Sequence, residues 1–164
     1  MTQYLEKKYV QKNSIEQRDY QVNLANQAVN ENCIIVLPTG LGKTAIALHV
    51  IAEYLSKGTG CILFLAPTRV LVNQHYEFLK KNITIDDVSL ITGEDTIENR
   101  TKLWSSKIIC ATPEIARNDF NRGIVSSDQF NLVIFDEVHR TVGDYAYSGI
   151  AHRFEDSTAR IIGM

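Results

Sequence analysis

Two short stretches carry residue types that act on phosphate and on water. "LPTGLGKT", Leu37 to Thr44, sets glycines before a lysine and a threonine, and "LVIFDEVH", Leu132 to His139, delivers an apolar run onto two adjacent acids. A glycine-rich turn that opens a helix points backbone N–H groups at an anion, and the positive end of the helix dipole adds to the attraction. Pro38, Thr39, Gly40, Leu41 and Gly42 form such a cradle. Lys43 is placed to reach the β and γ phosphates of a nucleoside triphosphate, and the Thr44 hydroxyl to help hold magnesium. Leu37 stands where the strict phosphate-loop pattern has glycine, while the glycine-lysine-threonine end is intact. In the second stretch the acids divide the labour: Asp136 joins Thr44 as candidate metal ligand, and Glu137 orients or deprotonates the attacking water. Lys43, Asp136 and Glu137 are therefore the candidate catalytic residues. Each stretch alone also suits a plain strand-to-helix turn or an acid-capped helix. Their occurrence together favours triphosphate chemistry.

The surrounding sequence supplies elements able to hold these residues at one edge. Short apolar runs alternate with longer amphipathic ones, the pattern of parallel strands joined by helical crossovers. The strand candidates are Cys33 to Leu37, Cys61 to Ala66, Val88 to Thr92, Lys107 to Thr112, Asn131 to Asp136 and Ala159 to Met164. Several are apolar on both faces, as central strands covered by helices are. Helical spacing runs from Lys43 to Leu55 and from Thr68 to Lys80, and Pro113 suits the first turn of a helix reaching about Arg122. Gly58 to Gly60 reads as a helix-to-strand break. In open parallel sheets, ligands bind at the carboxyl ends of the strands, where both motifs fall.

Composition narrows the class without choosing the ligand. The 164 residues, 45% hydrophobic and 22% charged, suit one globular domain with a sizeable core, and a net charge of -2 creates no overall basic field. Cys33, Cys61 and Cys110 lie in or beside apolar runs, as reduced core residues do. The polar amino terminus and the short apolar runs predict a protein inside the cell with no membrane partner.

"LPTGLGKT", "APTRVLVNQH", "ATPE" and "DEVH", in that order, resemble motifs I, Ia, Ib and II of a superfamily-two helicase. Val138 replaces the alanine of the commoner "DEAH" form. More narrowly, "RDYQ" at Arg18 to Gln21, "PTGLGKT" and "DEVHRTVGDYAY" resemble the archaeal Hef helicases and the Fanconi anaemia group M proteins, which remodel branched DNA. The resemblance implies an α/β RecA-like P-loop NTPase domain, with a mostly parallel central sheet flanked by helices on both faces, that uses ATP and Mg2+. It implies an N-terminal segment carrying a Q motif over residues 1–30 and the RecA-like domain over 31–164, stopping before motif III. Gln21 corresponds to the adenine-reading glutamine, with Arg18 near the same base, and His139 to the residue coupling the ATP site to the rest of the motor. Pro67, Thr68, Arg69, Thr112 and Pro113, with Thr92 and Gly93 as a looser match, correspond to loops that hold the DNA backbone. A second RecA-like domain would complete the motor, and this chain alone is expected to bind nucleotide without efficient unwinding.

Three other readings share these motifs: an RNA helicase or RNA-sensing ATPase, the motor of a restriction enzyme or chromatin-type translocase, and a nucleotide-gated binding module. Intact Lys43, Asp136 and Glu137 weigh against the last. His49, His75 and His152 lack partners at metal-ligand spacing and read as surface or satisfied core histidines. Trp104 reads as a packing anchor, Glu6 to Lys8 and Glu94 to Asn99 as solvated faces, and Tyr145 and Tyr147 carry no assigned role.

Overall fold

The computed structural model describes residues 1–38, 42–58, 60–137 and 145–164. Within them the strands are β1 (Cys33–Ile34), β2 (Cys61–Leu65), β3 (Val88–Leu90), β4 (Ile108–Ala111), β5 (Phe130–Phe135) and β6 (Arg160–Gly163). They form one sheet in the order β1-β6-β5-β2-β4-β3, with every pairing parallel. The helices are α1 (Asp19–Asn30), α2 (Lys43–Ser56), α3 (Arg69–Asn82), α4 (Ile97–Leu103), α5 (Pro113–Asn121) and α6 (Tyr145–Arg153).

The apolar runs of β2, β4 and β5 are buried because side chains alternate between two covered faces. Ile62, Phe64, Ile108, Cys110, Leu132 and Ile134 join a cluster with Ala25, Ile46 and Val50. Leu63, Leu65, Ile109, Val133 and Phe135 turn the other way, toward Trp104, Phe120 and Tyr147. Helices thus cover both faces, as expected from the sequence. β1 differs from its expected span of Cys33 to Leu37. It lies at the sheet edge with β6 as its neighbour, and Ile34 and Val36 are 63% and 85% exposed. The ladder ends with the Ile35 N–H bond to Gly163 O at 2.8 Å.

α2, α3 and α5 match the periodicity to within two residues. α3 begins where Thr68 Oγ1 accepts from Leu71 N at 3.2 Å, and its last turn carries Lys80 and Lys81, favourable at the negative helix end. Gly58 and Gly60 take φ of +73° and +74°, which supports the predicted break. Trp104 is 1% exposed, and its indole N–H donates to Asp119 at 2.8 Å. Arg100 also bonds Asp119 at 2.9 Å, so this fully buried carboxylate ties α4 to α5. The three cysteines are free, and burial pushes the Cys110 thiol up to about 12, leaving it unreactive. The amino-terminal stretch is less solvated than expected: Lys7 Nζ lies 2.6 Å from Glu53 on α2, and Leu5 and Val10 enter the first cluster. Among the described residues, no helix is long and apolar enough to cross a membrane.

Candidate nucleotide and nucleic-acid site

Because all strands run parallel, the segments that follow them emerge at one edge of the sheet. β1 leads into the glycine-rich loop and β5 into Asp136, with β6 between them. Two strand intervals of about 4.8 Å set β1 and β5 about 10 Å apart. The segments after β2, β4 and β3 carry Pro67 to Arg69, Thr112 to Pro113 and Thr92 to Gly93 along the other half of the same edge.

At the loop, Gly42 precedes α2 with φ of +78°, a left-handed conformation that favours glycine. A Cβ there would also collide with Gln21 Nε2, so α1 presses its glutamine directly against the phosphate-loop glycine. Gln21 is 4% exposed. Lys43 and Thr44 occupy the first turn of α2, which has no side-chain cap among the described residues and so offers N–H groups to an anion. Leu37 is half-buried and packs against the first apolar cluster, which accounts for a large apolar residue where the general pattern has glycine. Arg18, just before α1, is exposed; the Tyr20 hydroxyl and then Glu16, 3.5 Å away, hold its charge more firmly than usual. Thr39, Gly40, Leu41 and His139 lie outside the described residues.

Asp136 is 6% exposed and held from three sides. Its backbone N–H donates to Leu65 O at 2.8 Å, and its carbonyl accepts from the buried Tyr147 hydroxyl at 2.5 Å. Its Oδ2 lies 2.6 Å from His75 Nε2. The next residue, Glu137, takes φ of +56°, a conformation that side chains adopt at a cost and that recurs at functional sites. A set of oxygen donors with a single buried carboxylate suits magnesium, which keeps several waters and completes its shell with phosphate oxygens.

On the other half of the edge, Arg69, Asn73, Thr92 and Thr112 line a groove of about 270 Å³. Three of the predicted backbone-contact segments therefore meet in one place. They are not equivalent. The Arg69 guanidinium is exposed and lies 3.3 Å from Glu94. Thr92 is occupied within its own turn, with its N–H donating to Asp95 at 2.9 Å, so that loop offers acids where phosphates would come. Pro113 is buried as the first residue of α5.

Comparison with known proteins matches residues 18–164 to the DEAD/DEAH box helicases. The chain belongs to this DEAD/DEAH box helicase family. A Methanocaldococcus jannaschii protein named as an ATP-dependent RNA helicase is 42% identical over 98% of this chain and 21% of its own length. The ATP-dependent DNA helicase MPH1 of Candida albicans is 36% identical over 92% of this chain and 13% of its own length. The mouse Fanconi anemia group M protein homolog is 37% identical over 90% and 8%. The crystal structure of the Hef helicase domain of Pyrococcus furiosus superposes with a TM-score of 0.82 at 41% identity, covering 90% of this chain and 32% of that one. The fold is thus RecA-like, and the DEAD/DEAH chain spans about a fifth or less of these curated relatives.

In this DEAD/DEAH domain, the sequence reading missed three contributors. His75 is a satisfied core histidine, one of the two expected readings, but its partner Asp136 is 61 residues away, a contact that spacing along the chain does not reveal. Tyr147 anchors the acidic strand end from α6. Glu94, read as a solvated acid, bonds the predicted backbone-contact arginine. The position of His75 at the end of the motif Ia stretch "APTRVLVNQH" was the one available signal.

Proposed function

We propose that this chain is the ATP-binding first motor domain of an intracellular, ATP-dependent DNA helicase or translocase acting on branched or forked DNA. The observation that carries the reading is the shared sheet edge, where β1 and the acid after β5 stand on either side of β6 while Arg69 and Thr112 border a separate groove. The printed names of the MPH1 and Fanconi anemia group M relatives, and the likeness to Hef, support DNA as the partner.

In this reading, Gln21 and Arg18 recognise the adenine, and the cradle of residues 38–42 with Lys43 binds the phosphates. Thr44 and Asp136 hold magnesium, which when bound neutralises developing charge on the phosphates. Glu137 orients the attacking water and accepts its proton. Pro67, Thr68, Arg69, Thr112 and Pro113, with Thr92 and Gly93, border the path of the sugar-phosphate backbone, and His139 couples the two sites. Contacts to the backbone suit a motor that steps along any base sequence. A second RecA-like domain supplies the arginines that such phosphoryl transfer needs, worth about a thousandfold to a hundred-thousandfold in turnover. The 164-residue chain alone therefore binds nucleotide with little hydrolysis.

Calorimetry with ATP and Mg2+ tests the nucleotide assignment. Lys43→Ala and Gln21→Ala should both weaken binding, and equal affinity in all three proteins would overturn it. The name of the Methanocaldococcus relative favours RNA as a second reading. Hydrolysis by the full-length protein stimulated more by single-stranded RNA than by forked DNA would establish that alternative.

A further inference from the structure

His75 lies in the second turn of α3, where its ring meets the acidic end of β5. The imidazole stacks on Phe64 of β2, with ring centroids 4.5 Å apart and planes inclined by 28°. Its Nε2 is 2.6 Å from Asp136 Oδ2, and the two side chains are 10% and 8% exposed. An ionised carboxylate only accepts hydrogen bonds, so the histidine N–H is the donor. The donor is fixed by the Phe64 stack, and the acceptor's backbone is fixed by Leu65 and Tyr147. Little freedom remains in the contact.

We propose that His75 is a positioning residue for the magnesium-binding carboxylate: by holding Oδ2 it sets the rotation of the Asp136 side chain. The proposal rests on the assignment of Asp136 as metal ligand made above. Groups that orient metal ligands through hydrogen bonds typically change metal affinity or activity by about 10- to 100-fold when lost. Here the buried bond restricts a carboxylate that would otherwise rotate and sample unproductive orientations. A merely packing role would make different demands. Any side chain of similar volume would then serve, and the donor nitrogen would be irrelevant.

The test measures ATP affinity of the 164-residue chain by calorimetry with and without Mg2+, and takes the ratio. His75→Leu fills similar volume without a donor and is expected to lower the ratio about tenfold, leaving metal-free ATP affinity unchanged. His75→Gln, whose amide nitrogen reaches about as far as Nε2, should restore most of it. His75→Asn is polar but too short to reach Oδ2, so it shares the expectation for leucine and replaces that variant if leucine unfolds the chain, as judged by thermal melting. An unchanged ratio in the folded leucine or asparagine variant overturns the proposal. So does a ratio as low for glutamine as for leucine. Asp136→Asn separates the two levels of inference: if it leaves the ratio at the wild-type value, the metal assignment itself fails and the proposal falls with it. If it lowers the ratio while His75→Leu does not, only the role of His75 fails.

Discussion

Arg69 and His75 lie on the same helix, separated by about 9 Å of its axis, and each meets an acid from another part of the chain. The side chains of Arg69 and Glu94 are 66% and 80% exposed at 3.3 Å, whereas those of His75 and Asp136 are 10% and 8% exposed at 2.6 Å. The outer pair sits in water and is worth about 0–1 kcal/mol. It is therefore easily exchanged for an arriving phosphate. The inner contact is shielded, stacked on Phe64 and joined to two strand ends, so it holds a fixed geometry. α3 thus carries an exchangeable charge at the groove and a fixed contact at the proposed nucleotide gap. The difference lies in burial and supporting contacts.

The strongest attempt to break this comparison is Asp136→Asn, which should reduce ATP hydrolysis by the full-length protein about a hundredfold or more, measured as phosphate release. A loss no greater than that of Arg69→Ala would mean that the buried contact has no special place. Asp119 supplies a buried carboxylate away from the proposed site. Asp119→Ala leaves Arg100 without its acid and should cost about 3–5 kcal/mol in urea unfolding, while nucleotide affinity of the folded protein stays normal.

His49 tests what burial does to a histidine that has no carboxylate hydrogen bond among the described residues. Desolvation, with Lys7 adding to it and Glu53 opposing it, lowers its value from 6.5 to about 4. At 2% exposure it is neutral in the fold, whereas the unfolded chain takes up a proton readily as pH falls. Stability is then retained above about pH 6.5 and lost toward pH 4, by up to about 3 kcal/mol. His49→Leu should flatten that part of the profile in thermal melts.

Effects at the groove are smaller. Arg69→Ala should weaken binding of a single-stranded oligonucleotide and reduce the slope of log affinity against log salt by about 1. Glu94→Gln should act in the opposite direction, raising affinity at low salt by up to about fivefold, since the exposed pair it breaks is worth no more than about 1 kcal/mol. An unchanged affinity for Glu94→Gln would show that Arg69 is not the group this acid restrains.

The two motifs and their strand-helix settings were readable because they are local. Lys43 begins α2 and Asp136 follows β5 whatever else the chain does. Central strands were readable because burial on both faces demands unbroken apolar runs, as in Leu132 to Phe135. α1 escaped notice because its buried face consists of Gln21, Ala25 and Ala28, at helical spacing but too small or polar to show as an apolar stripe. The true length of β1 was also hidden, since Ile34 and Val36 are apolar yet exposed at the edge.

By itself, then, the sequence determined the alternating strands and helices and the order of the family motifs, because both depend on neighbours within a few residues. The tertiary structure decided the partners of those residues. Strand order set the proposed nucleotide gap apart from the groove, packing brought Gln21 against Gly42, and the parallel sheet carried His75 to an acid 61 residues away. Such contacts arise when distant segments share one sheet edge, and no local spacing encodes them.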